Sequence, residues 1–205
     1  TLQSVIEFIG TFAFALSGIR LAATKHYDWL GGFVCGVAVA IGGGTIRDVM
    51  LGQTPFWMSS PIYLLFTLLA QLVVIVCHHY LKRLDNTWFL FDTLGLALFN
   101  IAGIQKTLDC GFPFWVAIIM GCITGSFGGV IRDVLLNEEP VIFRKEIYAM
   151  ACVIGGLVYW GFSCLDVSLY VTVVASFVTV CAIRLLAVKY HISLPTLRDE
   201  DEKDN

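Results

Sequence analysis

Apolar positions run in seven long blocks, at about 3–23, 29–50, 61–81, 88–107, 114–136, 147–164 and 167–188, with short polar links between them. The blocks are continuous rather than alternating, so they predict helices and not the strands of a membrane barrel. Each comes close to the roughly 20 residues that a helix needs to cross a bilayer. Composition points the same way. Hydrophobic residues make up 58% of the chain and charged residues 14%, against about 45–50% and about 25% in soluble domains. Mean hydropathy is +0.80. The pattern predicts an all-α integral membrane protein of seven transmembrane helices. A cleavable signal peptide is not expected, because the first block lacks a basic leader and carries Glu7.

The blocks repeat. "GGGTIRDVMLGQTPFWMSSPIY" ends at Tyr63, and "FGGVIRDVLLNEEPVIFRKEIY" ends at Tyr148. The match extends upstream without a gap, pairing Gly10 with Gly95, Phe14 with Phe99, Gly18 with Gly103 and Gly36 with Gly121. Over residues 7–63 against 92–148, 15 of 57 positions are identical. Such self-similarity marks duplication. The expected units are a first three-helix repeat over 1–81, a second over 88–164, a seventh helix over 167–188 and a polar cytoplasmic tail over 189–205. Three spans per unit is an odd number, so the second copy enters the membrane from the opposite side. Inverted repeats of this kind build transport proteins, with the path between the repeats.

Two features recur in both copies. The first is a glycine run late in the second helix of each unit: Gly42, Gly43 and Gly44, then Gly128 and Gly129, with Thr45 and Ser126 alongside. An interior glycine costs about 1 kcal/mol of helix stability relative to alanine. The favoured reading is a break in each helix that lines a path, with its freed carbonyls or amides facing an ion. Close helix packing through small residues is the alternative. The second feature is Arg47-Asp48 and Arg132-Asp133. Charges within spans are costly and face partners or water. Glu7 opens the first span and Asp92, its counterpart, opens the fourth. Matching depth predicts the pairs Glu7–Arg47 and Asp92–Arg132, with each arginine reaching past its own neighbouring aspartate.

Positive charge sets orientation. Lys25, Lys82, Arg83, Arg144, Lys145, Arg184, Lys189, Arg198 and Lys203 fall on one side of a seven-span chain, with Arg20 close by, and Lys106 alone on the other once the intramembrane Arg47 and Arg132 are set aside. The N-terminus is therefore expected outside and the C-terminus in the cytoplasm of a cell (inner) membrane. Arg144 and Lys145 serve as anchors or as contacts for anionic lipid. The seven cysteines are scattered and form no metal-ligand spacing, so neither a metal nor another cofactor is expected. No nucleophile–base set points to an enzyme, and no basic stripe points to nucleic acid.

The duplicated Gly-Gly-x-x-Arg-Asp block and the three-plus-three-plus-one arrangement, over residues 3 to 188, resemble the trimeric intracellular cation channel (TRIC) family. The similarity is strongest to its prokaryotic branch, catalogued under a "glycine transporter" domain name. The resemblance implies a homotrimer with a pore in each subunit, lined by kinked second and fifth helices. It implies potassium as the main permeant ion and a gate or constriction at Gly42, Gly43, Gly44, Gly128 and Gly129. Lys106 resembles that family's basic voltage-responsive residue. Only Lys145-Glu146 resembles the stretch with which animal members contact an inositol lipid. Two other functions fit the same repeats less closely: a secondary transporter of a small amino acid such as glycine, and a non-transporting membrane scaffold.

Overall fold

The computed structural model describes residues 2–77, 87–143, 147–190 and 192. Among these residues there are seven α-helices: α1 (Leu2–Thr24), α2 (Trp29–Met50), α3 (Ile62–Val76), α4 (Thr87–Asp109), α5 (Phe114–Leu135), α6 (Ala149–Cys164) and α7 (Leu169–Lys189). The protein is an all-α integral membrane protein. Five helices are long and apolar enough to cross a membrane, and α3 and α6 are shorter apolar helices of 15 and 16 residues. At 1.5 Å per residue these two span about 22–24 Å, less than the roughly 30 Å of a hydrocarbon core. Each is preceded by a short 3₁₀ turn, Phe56–Ser59 or Val141–Phe143, that folds back on the helix before it. The last residues of the expected third span, 78–81, lie outside the described residues, as do Arg144, Lys145 and most of the tail.

The C-terminal ends of α2 and α5 are built alike, whereas their starts differ, with Asp28 at one and Pro113 at the other. Asp28 starts α2 by accepting a hydrogen bond from Gly31 N at 2.7 Å. The N-terminal amides of a helix need such an acceptor. α2 and α5 both stop at a left-handed residue, Gly52 (φ 67°) and Asn137 (φ 53°), in the helix-ending conformation that glycine and asparagine tolerate best. The bonds Gln53 N to Asp48 O and Glu138 N to Asp133 O, each 2.8 Å, close the two ends identically.

α1 and α4 are the most buried of the five long helices and form the centre. Their contacts are reciprocal. A Cβ at Gly10 would lie 3.1 Å from Phe99, and one at Gly95 would lie 2.4 Å from Phe14. Gly95 and Phe99 are the repeat counterparts of Gly10 and Phe14, so the contact is one pair seen twice across a pseudo-two-fold axis. The Phe14 and Phe99 rings stack there, 5.4 Å apart. α2 and α5 cross on the same axis. A Cβ at Gly43 would meet the Thr124 carbonyl oxygen, and one at Gly128 would meet that of Val39, again counterparts. Antiparallel crossing of equivalent helices is what an inverted duplication produces.

The expected breaks in α2 and α5 are not present. Both helices run without interruption through their glycines. Each glycine of the run 42–44 faces a different neighbour: a Cβ would strike Ile131 at Gly42, Thr124 at Gly43 and Phe56 at Gly44. Close backbone approach on three sides offsets the roughly 1 kcal/mol helical penalty of each glycine, so packing rather than unwinding accounts for the run.

Candidate functional site

Two buried ionic clusters flank the α2–α5 crossing, one toward each end of the bundle. In the first, Arg47 donates from Nε to Asp48 Oδ1 at 2.7 Å and from Nη2 to Glu7 Oε1 at 3.3 Å. In the second, Arg132 donates from Nε to Asp133 Oδ1 at 2.8 Å and from Nη1 to Asp92 Oδ1. The pairs predicted from depth, Glu7–Arg47 and Asp92–Arg132, are both formed. The neighbouring aspartate was expected to be passed over and is instead bonded as well. The guanidinium is long enough to turn back on residue i+1 with Nε while its outer nitrogens reach the acid on the next helix.

The aspartates have a second task. Asp48 Oδ2 accepts from Phe56 N at 2.7 Å, and Asp133 Oδ2 accepts from Val141 N at 2.9 Å. Each thus ties the first 3₁₀ residue to the end of the preceding helix. Each acid from the first helix of its unit also receives a tyrosine hydroxyl: Tyr63 bonds Glu7 at 3.0 Å and Tyr148 bonds Asp92 at 3.4 Å. Acid, arginine, aspartate, backbone amide and tyrosine form one five-part network, written once per repeat. Both arginines are 0% exposed. A buried charge is tolerated only when paired and hydrogen-bonded, and here every arginine meets two carboxylates.

The two networks differ at their edges. Lys106 of α4 reaches Asp48 Oδ1 at 3.0 Å, joining the second repeat to the first. Its counterpart is Leu21. In the other direction Arg132 Nη1 donates to Ser17 Oγ on α1 at 2.9 Å. Arg184 of α7, also fully buried, lies over the rings of Tyr148 and Phe89, at 4.6 and 5.0 Å. Arg47 and Arg132 have aromatic faces too, Phe56 at 5.6 Å and Trp88 at 5.1 Å. Cations over such faces are attracted by the ring quadrupole.

Sequence reasoning missed Arg184, Tyr63 and Tyr148 as parts of these networks. The signal for the tyrosines was in view, since each closes its copy of the repeat. Arg184 counts in the sequence as a cytoplasmic-side charge, whereas it is buried within α7, a helix with no repeat partner to compare. The remaining candidates are back-bonded within their helices: Thr45 Oγ1 donates to Ile41 O at 2.7 Å and Ser126 Oγ to Cys122 O at 2.6 Å. Thr45 also accepts from Trp57 Nε1 at 3.0 Å. Among the described residues, no group of three or more His, Cys, Asp or Glu could hold a metal ion.

Comparison with known proteins places this architecture. A family profile described as "Glycine transporter" matches residues 4–79 and again 89–163. The chain is 41% identical over 198 residues to the UPF0126 inner membrane protein YadS of Escherichia coli K12, covering 93% of this chain and 94% of that protein. It superposes on the TRIC trimeric intracellular cation channel orthologue from Rhodobacter sphaeroides with a TM-score of 0.88 and 30% identity, covering 94% and 100% of the two chains.

The chain belongs to the TRIC family.

A second TRIC structure, described in terms of conductance through TRIC cation channels, matches with a TM-score of 0.83 and 35% identity, over 96% and 98% of the chains. Within the TRIC fold, the reciprocal α2–α5 crossing and the two arginine networks are the features of this chain that combine buried charge with a symmetric interface. Both of these solved structures are of channels, not enzymes.

Proposed function

We propose that this chain is a cation channel that conducts chiefly potassium, as a homotrimer with a path inside each subunit between the two repeats. The single observation that carries the reading is the likeness over nearly the whole of both chains to a solved TRIC channel. The charge pattern agrees with it. Arg47 and Arg132 are each matched by two carboxylates, so neither network carries a surplus of positive charge that would repel a cation. Gly42, Gly43 and Gly128 pack at the crossing at which α2 and α5 part when the path opens, while Gly44 faces Phe56 and Gly129 faces Tyr148. Gly43 packs against the Thr124 backbone, a contact that separation of α2 and α5 would break. Helices joined through glycine rather than interlocked side chains separate with little side-chain rearrangement.

The protein sits in the inner membrane with its N-terminus outside and its C-terminus in the cytoplasm, as the lysine and arginine bias requires. A protease applied to the outside of intact spheroplasts leaves a C-terminal tag untouched under this orientation; its removal would reverse it.

Transport of glycine is the second reading, favoured by the description of the matching family profile. Proteoliposomes separate the two. Under a potassium gradient, the channel gives rapid flux that dissipates the gradient and does not saturate with glycine. Saturable glycine uptake without potassium leak would replace the channel by the transporter.

A further inference from the structure

Two cavities lie at opposite ends of α1. One, of about 480 Å³, is walled by Ile19, Ala23, Asp28, Gln71 and Val74, with His26 at its edge. The other, of about 320 Å³, is walled by Gln3, Gln105, Leu108, Asp109 and Tyr159. They occupy equivalent places in the two repeats, because Leu108 and Tyr159 are the 85-residue counterparts of Ala23 and Val74. Each holds a buried glutamine, Gln71 at 7% and Gln105 at 8% exposure, whose Oε1 has no hydrogen-bond partner. The Gln71 amide is oriented by donation from Nε2 to the Trp29 carbonyl at 3.3 Å. Gln105 lies beside the Tyr159 hydroxyl.

A buried amide oxygen left without a donor is destabilising. The glutamines are not repeat counterparts of each other: Gln71 corresponds to Gly156, and Gln105 to Arg20. The same unmet acceptor has therefore been placed twice, from different helices, in equivalent cavities. Each cavity has one exposed aspartate, Asp28 or Asp109, and no lysine or arginine in its wall. Acceptor oxygen, carboxylate and apolar wall together fit a ligand with several N–H donors, a positive charge and an apolar attachment.

We propose that the two cavities are a matched pair of primary-ammonium sites, one near each membrane face, filled by the amine of a lipid headgroup or by a free alkylamine. The glutamine oxygen and the aspartate accept the ammonium N–H groups, and the apolar wall takes the adjoining chain.

Native mass spectrometry of the purified, delipidated protein tests this with dioleoyl phosphatidylethanolamine and dioleoyl phosphatidylcholine. The second lipid has the same headgroup charge but no N–H. The expected result is two tight phosphatidylethanolamine molecules per subunit, bound about tenfold or more above phosphatidylcholine, since a hydrogen bond to a charged group is worth at least that factor. Gln71→Leu removes one and Gln105→Leu the other. Should either leucine variant fail to fold, Asp28→Asn and Asp109→Asn at the exposed rims serve instead, each weakening its site several-fold; asparagine keeps the α2 cap. Displacement of the bound lipid by free ethanolamine assigns the sites to a water-borne amine, and persistence against it assigns them to lipid. Equal binding of the two lipids, or phosphatidylethanolamine binding unchanged in the variants, overturns the proposal.

Discussion

Gly43 is the position where a single methyl group discriminates between two accounts of the glycine run. A Cβ there would lie 2.2 Å from the Thr124 carbonyl oxygen, 3.1 Å from its carbon and 3.3 Å from Gly128 N. All three are backbone atoms, which have no rotamer to move into. Relief requires α2 and α5 to part by roughly 1 Å, and such overpacking costs about 1–3 kcal/mol. Alanine's better helix propensity returns about 1 kcal/mol; because the clash is with backbone atoms, its cost falls at the upper end of that range, and Gly43→Ala is expected to be destabilised by about 2 kcal/mol. For a chain of this size that corresponds to several degrees of melting temperature, at about 2–4 °C per kcal/mol. Gly161→Ala is the control, because nothing lies within 4 Å of a Cβ there. The assay is thermal unfolding of the detergent-purified protein, followed by loss of the monodisperse peak. Gly128→Ala, against the Val39 carbonyl, should behave like Gly43→Ala. If Gly43→Ala melts with the wild type and the control, the crossing is not the close contact argued here and the packing account of the run fails.

Other expectations follow from the networks. Arg47→Met or Arg132→Met strands two buried carboxylates, and the loss of one partner from a buried ion pair costs about 3–5 kcal/mol; folded yield and melting temperature should both fall. Adding Glu7→Gln to Arg47→Met should recover part of that loss, and strict additivity of the two in a double-mutant cycle would deny the pair. Arg184→Gln removes a cation held between Tyr148 and Phe89 and should lower stability by about 2 kcal/mol, read from the same melts. Lys106→Met touches only an edge of the first network, with 22% of the lysine side chain exposed, so its effect on melting should stay within about 1 kcal/mol.

Much of the architecture could be read from the chain, for reasons that differ by element. Five helices are continuous apolar runs, and no alternative satisfies their backbone in lipid. The pairs Glu7–Arg47 and Asp92–Arg132 followed from depth, because a buried charge must find its opposite at its own level. The second role of Asp48 and Asp133 did not follow, since it depends on how a 3₁₀ turn folds back over eight residues. Continuity at Gly42–Gly44 was misjudged for a related reason. Local propensity sees three helix-weakening residues, while the decision is made by Ile131, Thr124 and Phe56, two of them more than 80 residues away in sequence. The shortness of α3 and α6 was hidden because apolar composition continues into the adjoining turns. Arg184 stood in a helix without a symmetric copy, so no second instance drew notice to it.

The central claim is conduction of cations, and recording from the purified protein in a planar bilayer tests it most directly. In symmetric potassium salt the account predicts discrete unitary openings. Under a potassium chloride gradient, it predicts a reversal potential near the potassium equilibrium value. A silent bilayer from folded, correctly assembled protein, or a reversal potential at the chloride value, would contradict it.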